Sequence, residues 1–391
     1  MEQKRSRWIL HSDADCFYAA IEQRDRGYHG KPVIVGGLEG RGVVATCSYE
    51  ARRFGVHSAM SMREAKQRCP QGIFLSPDMR KYAYVSEQIR QIYESFSPLV
   101  EPLSLDECFM DLTGMELLYP GGVEDIACRI KDQISKEINI TVSIGVSHNK
   151  FLAKLASDLK KPDGLVIIKP GEEIELLAPM PVTRLWGVGE ATARSLKHIG
   201  VKTVADVRTL DITALERLLG KYGAELFKLA WGKDDRPVVP DREAKSIGSE
   251  NTFLQDIWSK ENIEAELLAL AEKTGWRLRQ AGLSGRTVTV KIRYSSFHTI
   301  TRSLTLPTPV NLDEVIYETA KTIMEKVPIQ EGVRLLGITV SHLSEGCNQL
   351  DLFNEVNEKR EKVTAVVDQL KGRFGHSIIM RGKLLEQKTN K

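Results

Sequence analysis

The chain has 391 residues, 42% of them hydrophobic, so it is long enough for more than one core. Lys and Arg (55) nearly balance Asp and Glu (52), which excludes binding to a polyanion through overall charge and leaves only local basic patches. No apolar run reaches the length of a membrane span, the N-terminus is not of signal-peptide type, and the six cysteines form no CxxC pair. A reduced, cytoplasmic protein without a structural zinc is therefore expected.

Residues 8–13 predict a strand, and Phe17 starts a helical pattern. Pro32–Gly37 and Val43–Thr46 predict short buried strands. Tyr82, Val85, Ile89, Ile92, Tyr93 and Phe96 recur at helical spacing. Residues 99–112 predict two strands broken at Asp106-Glu107. A helix over 126–138, a strand over 141–147, a helix to Leu159 and a strand over 165–168 follow, and this alternation predicts an α/β layer. Short helices and glycine turns fill 171–232. The polar segment 233–244, with two prolines, predicts a linker. The last unit, 245–345, predicts helix 260–280, strands 286–294 and 298–306, helix 312–326 and strand 333–341, a small α+β domain.

Two acidic segments stand out: His11-Ser12-Asp13-Ala14-Asp15-Cys16-Phe17-Tyr18 and Ser104-Leu105-Asp106-Glu107-Cys108-Phe109-Met110-Asp111. A carboxylate beside an apolar strand is costly to bury unless it is paired or binds a cation. Asp13, Asp106 and Glu107 together would suit two Mg²⁺ ions and nucleotidyl transfer. Adjacent residues of a strand point to opposite faces, so Asp106 and Glu107 can share a site only if the backbone bends there. Either segment taken alone fits solvated loop acids better than a metal site. Asp15 stays ambiguous at this point, and Asp111 fits a strand end.

Four ordered motifs resemble the signature segments of the Y-family DNA polymerases, in their DinB or DNA polymerase IV branch: Asp13-Ala14-Asp15-Cys16-Phe17-Tyr18-Ala19, Tyr49-Glu50-Ala51-Arg52-Arg53-Phe54-Gly55-Val56, Ser104-Leu105-Asp106-Glu107, and Lys160-Lys161-Pro162-Asp163-Gly164. The resemblance runs from about residue 8 to 345. It implies a right-hand polymerase: palm at 1–18 and 80–170, fingers at 19–79, a thumb with a helix–hairpin–helix at 171–232, a linker at 233–244, an α+β little finger at 245–345, and a tail at 346–391. It makes Asp13, Asp106, Glu107 and the Ala14 carbonyl the Mg²⁺ ligands. Asp15 and Asp111 then drop out as ligands. Phe17 and Tyr18 would meet the incoming nucleotide, Tyr18 as a steric gate against a ribose 2′-hydroxyl. Tyr49, Arg52 and Lys161 would contact its triphosphate, with Lys160 solvated. Val43 and Ala45 would lie over the templating base.

Val182–Leu196, with its Gly187-Val188-Gly189 turn, resembles a helix–hairpin–helix whose amides hold a DNA phosphate without reading sequence. Thr287–Tyr294 alternates apolar residues with Thr, Lys and Arg, and Thr299–Leu306 repeats the hydroxyl pattern. A solvated sheet face would read the same way. The resemblance makes it a DNA-contacting surface with Lys291, Arg293 and Arg302, although Arg302 departs from the alternation. Gln349-Leu350-Asp351-Leu352-Phe353 resembles a sliding-clamp-binding motif, with Gln349, Leu350, Leu352 and Phe353 as contacts. It is followed by a helical pattern that would pack on the little finger and hold or hide it.

The resulting expectation is a monomeric, error-prone translesion polymerase using primer-template DNA, dNTPs, two Mg²⁺ and the clamp, with no proofreading domain. The alternatives are a catalytically inactive DNA-binding relative, against which the three carboxylates argue, and a nucleotide cyclase, which would need neither the hairpin nor the clamp motif.

Overall fold

The structure, a computed structural model, describes residues 7–345 and 355–382 other than 376, 377 and 380. The chain divides into two compact units, Met1–Arg242 and Glu243–Lys391. Its strands are β1 (Ile9–Ala14), β2 (Val33–Gly36), β3 (Val44–Cys47), β4 (Ile73–Leu75), β5 (Val100–Pro102), β6 (Glu107–Asp111), β7 (Val142–Ser147), β8 (Leu165–Ile167), β9 (Ser246–Ile257), β10 (Leu283–Tyr294), β11 (Thr299–Val310) and β12 (Val333–Glu345).

The first unit is built on a five-stranded sheet in the order β5-β6-β1-β7-β8. β1 runs antiparallel to both β6 and β7. The period of two divides β1 into two faces. Leu10 belongs to the core formed with helices Met79–Phe96 and Gly122–Ile138, and the Ser12 hydroxyl bonds the Tyr93 hydroxyl of the first helix at 2.8 Å. Ile9, His11 and Asp13 face the other way. Directly opposite residues share a face, so Asp13 is joined there by Glu107 and His11 by Phe109. Helix Lys150–Leu159 covers this second face. It comes close because β7 carries Gly145 there, where a Cβ would lie 2.1 Å from the Ala153 carbonyl oxygen.

A three-stranded sheet, β3-β2-β4, forms a smaller layer with its own core of Ile34, Val44, Cys47, Ala51 and Met62. Helices Glu173–Leu177, Glu190–His198, Val204–Arg208, Ile212–Leu219 and Lys221–Ala230 bury Leu177, Leu196, Val204, Leu215 and Leu226 together.

Residues 233–242 differ from the linker expectation, because this stretch is docked. Asp234 is buried and accepts from the Phe151 amide at 2.9 Å, and Val238 packs with Ile9, Phe109 and Ala153. Two of its charges, Asp234 and Arg236, pair with each other at 2.8 Å, and Arg242 reaches outside the segment to Glu101 at 2.5 Å.

The second unit is an antiparallel sheet in the order β11-β10-β12-β9, with helices Lys260–Gln280 and Asp313–Glu325 on its apolar face. The first strand, β9, has no regular alternation and the sequence reading missed it. Val288, Val290 and Ile292 enter the core, leaving Thr287, Thr289, Lys291 and Arg293 on the other face. Thr301, Ser303 and Thr305 lie opposite Lys291, Thr289 and Thr287 and share that face. Arg302 lies opposite Val290, and this register corrects its grouping with Lys291 and Arg293: it belongs to the opposite face. Helix Glu355–Phe374 is tied to the other helices by Arg279–Asp368 (2.6 Å) and Lys371–Glu272 (3.4 Å). The motif Gln349, Leu350, Leu352 and Phe353 lies outside the described residues.

Candidate active site

Asp13 and Ala14 end β1, and Cys16 turns the chain in the left-handed region (φ 43°) into helix Phe17–Arg26. The first N–H groups of such a helix lack intrahelical partners. Beside them, Leu103–Asp106 forms the tight link from β5 to β6. Ser104 organises it: its hydroxyl accepts from the Asp106 and Glu107 amides at 3.3 and 3.2 Å and donates to Asp106 Oδ1 at 2.5 Å. The Ala14 amide donates to the Asp106 carbonyl at 2.9 Å, fastening the link to the end of β1. Asp106 is thus the last residue of a bend and Glu107 the first of a strand.

Asp13, Ala14, Phe17, Tyr18, Tyr49, Arg52, Asp106 and Lys161 line one pocket of about 290 Å³, together with Cys16, Ala45, Thr46 and Ser58. Tyr18 stacks on Tyr82 with ring centroids 4.3 Å apart, and Tyr82 is fixed by its hydroxyl donating to Glu22 at 2.9 Å. Phe17, only 2% exposed, also belongs to the hydrophobic core behind the pocket. The guanidinium of Arg52 rests over the Tyr49 ring at 4.4 Å. Lys161 Nζ lies 2.7 Å from Asp13 and 3.1 Å from Asp158. Lys160 is exposed.

Burial raises the Asp13 carboxyl to about 6, with the charges of Asp106 and Glu107 adding to the shift against the pull of Lys161. Glu107 behaves in the opposite way. Its hydrogen bond with His11 lowers it to about 2, helped by Lys154. His11 Nε2 is 3.3 Å from its carboxylate, and Lys154 Nζ bonds the same oxygen. Among the described residues, no three His, Cys, Asp or Glu side chains are gathered closely enough to hold an ion as they stand. Glu107, engaged by Lys154 and His11, is not among the residues lining the pocket. The available donors are nonetheless hard oxygens, two of them already at the pocket, and crowding of like charge at Asp13 is what a bound divalent cation relieves. The set fits Mg²⁺, provided Glu107 leaves Lys154.

Asp15 is turned away from the pocket and fully hydrogen-bonded, and Asp111 accepts from the Thr113 amide at 2.9 Å at the end of β6. The sequence reading gave no role to His11, Lys154, Ser104 or Tyr82. The signal for His11 was its position two residues before Asp13 on one strand face. For Lys154 it was the four-residue spacing to Asp158 on one side of the helix that leads to Lys161.

Gly187 and Gly189 lie elsewhere in the first unit. Gly187 has φ 86°, and a Cβ there would lie 2.7 Å from the Tyr222 hydroxyl. Gly189 precedes helix Glu190–His198 without a side-chain cap, leaving its amides open to an anion. In the second unit, Lys291 pairs with Glu250 at 2.8 Å and Arg293 bonds Thr299 at 2.9 Å. Among the described residues no helix is long and apolar enough to cross a membrane.

Comparison with known proteins is consistent along the chain. The impB/mucB/samB family matches residues 12–158, its C-terminal domain residues 244–352, and the IMS family HHH motif residues 170–201. DNA polymerase IV of Desulfatibacillum aliphaticivorans is 41% identical, covering 95% of each chain. That of Akkermansia muciniphila is 46% identical over 87% of this chain and 95% of its own. A solved Y-family DNA polymerase chimera matches with a TM-score of 0.78 at 26% identity, covering 87% of this chain and 100% of its own. The pocket, the helix–hairpin–helix segment and the C-terminal sheet thus fall within regions shared with these proteins, and the chain belongs to the impB/mucB/samB family of Y-family DNA polymerases, in the DNA polymerase IV branch.

Proposed function

We propose that this DNA-directed DNA polymerase extends a primer 3′-hydroxyl across damaged template by nucleotidyl transfer in the 290 Å³ pocket, and that the sliding clamp recruits it through Gln349–Phe353. The observation that carries the reading is the meeting of Asp13 and Asp106 with Tyr18, Tyr49, Arg52 and Lys161 around one cavity. Two Mg²⁺ held by Asp13, Asp106, Glu107 and the Ala14 carbonyl would activate the hydroxyl and neutralise the leaving pyrophosphate. Arg52 grips phosphate oxygens with a fork that its seat on Tyr49 pre-orients. Lys161 adds a point charge, and the first amides of helix Phe17–Arg26 add neutral donors.

In this reading, the five-stranded sheet is the palm, the three-stranded layer the fingers, the 171–232 helices the thumb and the second unit the little finger. Gly187 and Gly189 hold a phosphate of the duplex. The face bearing Lys291, Arg293 and the Thr/Ser rows positions backbone without reading bases.

Tyr18, stacked on an immobilised Tyr82, is a rigid floor beneath the nucleotide sugar. Tyr18→Ala should raise ribonucleotide incorporation by at least about tenfold at similar dNTP incorporation, the size expected when a steric term of ~1.4 kcal/mol is removed. Primer extension with matched rNTP and dNTP measures this, and unchanged sugar selectivity would refute the gate.

A further inference from the structure

Asp15 sits beside the pocket but is not among its lining residues. It is 3% exposed, and its carboxylate accepts four hydrogen bonds, all from neutral donors. Oδ2 accepts from the Thr141 hydroxyl at 2.9 Å and the Asp163 amide at 2.8 Å. Oδ1 accepts from the Ser143 hydroxyl at 2.9 Å and the Tyr49 phenol at 3.3 Å. Its own amide donates to the Thr141 carbonyl at 3.0 Å.

The donors come from three separate places: the start of β7, the turn two residues after Lys161, and the helix that carries Arg52. Among the described residues, Arg52 and Lys161 are the two cationic side chains in the pocket wall. Arg52 rests on the ring whose hydroxyl Asp15 holds, and Lys161 leads into the turn whose amide Asp15 holds. A carboxylate engaged this way locks all three pieces, since releasing any of them leaves a buried charge short of a donor.

We propose that Asp15 is a positioning residue that fixes Arg52 and Lys161 in mutual register, so that a nucleoside triphosphate meets both cations already placed. Holding both cations in advance lowers the ordering cost of binding the triphosphate and leaves the chemical step to the acidic residues. The inference rests on the reading of the pocket as the nucleotide site, and its test separates the two.

Asp15→Asn keeps the volume but turns an NH₂ group toward two donors. The full-length enzyme should show a KM for dNTP raised at least about tenfold, since losing even one hydrogen bond to a charged group costs about that much. Saturating kcat should stay within about threefold, and primer-template affinity should not change. Added to Arg52→Ala, the substitution should raise KM by less than the product of the single effects. Thr141→Val removes one donor with little change of shape and should raise KM by a few-fold, which keeps the test available should Asp15→Asn not fold. If Arg52→Ala and Lys161→Ala raise KM while Asp15→Asn and Thr141→Val do not, the positioning role is overturned and the pocket reading survives. If Arg52→Ala and Lys161→Ala both leave KM unchanged, the pocket reading fails and the inference goes with it. A loss confined to kcat would place Asp15 in the chemical step and contradict the proposal.

Discussion

Glu101 and Lys150 form an ion pair whose side chains are 1% and 2% exposed, at 2.5 Å. The two residues are not equivalent. Glu101 also lies 2.5 Å from the Arg242 guanidinium and accepts from the Val239 amide at 2.9 Å. Lys150 otherwise has the Pro237 carbonyl at 3.3 Å and the Phe109 ring at 4.7 Å. Glu101→Ala therefore leaves a buried ammonium without a counter-charge and frees segment 237–242, at a cost of ~3–5 kcal/mol. Lys150→Met leaves Glu101 with Arg242 and an amide, and should cost only ~1–2 kcal/mol. Replacing both with apolar residues of similar volume, Glu101→Leu with Lys150→Met, should recover most of the loss. For a unit of this size, Glu101→Ala should lower the melting temperature by on the order of 10 °C. Urea and thermal unfolding followed by tryptophan fluorescence would report this, through Trp8, Trp186 and Trp231 of the first unit. Equal costs for Glu101→Ala and Lys150→Met, or costs below ~1 kcal/mol for both, would refute the buried pair as the anchor of the 233–242 segment.

Two further outcomes are expected. The Asp13 carboxyl, raised to about 6 from 3.8, favours the folded state fully below about 3.8 and loses that contribution as pH rises through about 6. Glu107, lowered from 4.5 to about 2, acts in reverse: its stabilisation is present above about 4.5 and lost as pH falls through about 2. Mg²⁺ competes with the Asp13 proton, so thermal stabilisation by Mg²⁺ should be small at pH 5 and grow through pH 6 to 7. Equal Mg²⁺ stabilisation at both ends would contradict this site. Changing both Leu352 and Phe353 to Ala should abolish stimulation of primer extension by the clamp and spare basal extension, and unaltered stimulation would remove the motif from the account.

Much of the site was legible because its signals are local. The adjacency of Asp106 and Glu107 required a bend, and Ser104 provides one. The spacing of Tyr49 and Arg52 put them on one helical turn, where they stack. What escaped the sequence depends on distant partners. Glu107 is held by Lys154, 47 positions away, and no periodicity reveals that pairing. Segment 233–242 looked like a solvated connector because Arg242 finds Glu101, and Asp234 finds Arg236 and the Phe151 amide, only once folding brings them together. β9 is half exposed, has a single fully buried residue and is irregular in hydropathy, so only its pairing with β12 defines it. Arg302 was misgrouped because one residue of register decides the face, and register is set by the whole sheet.

The central claim is that the acids at the end of β1 and at the 103–106 bend perform metal-dependent nucleotidyl transfer. Primer extension with Mg²⁺ and dNTPs, comparing the native chain with Asp106→Ala, tests it most directly. The account predicts template-directed extension by the native chain and a loss of about a hundred- to a thousandfold in the variant, the scale of removing a group that stabilises developing charge, with primer-template affinity retained. Extension by Asp106→Ala at the native rate would contradict it.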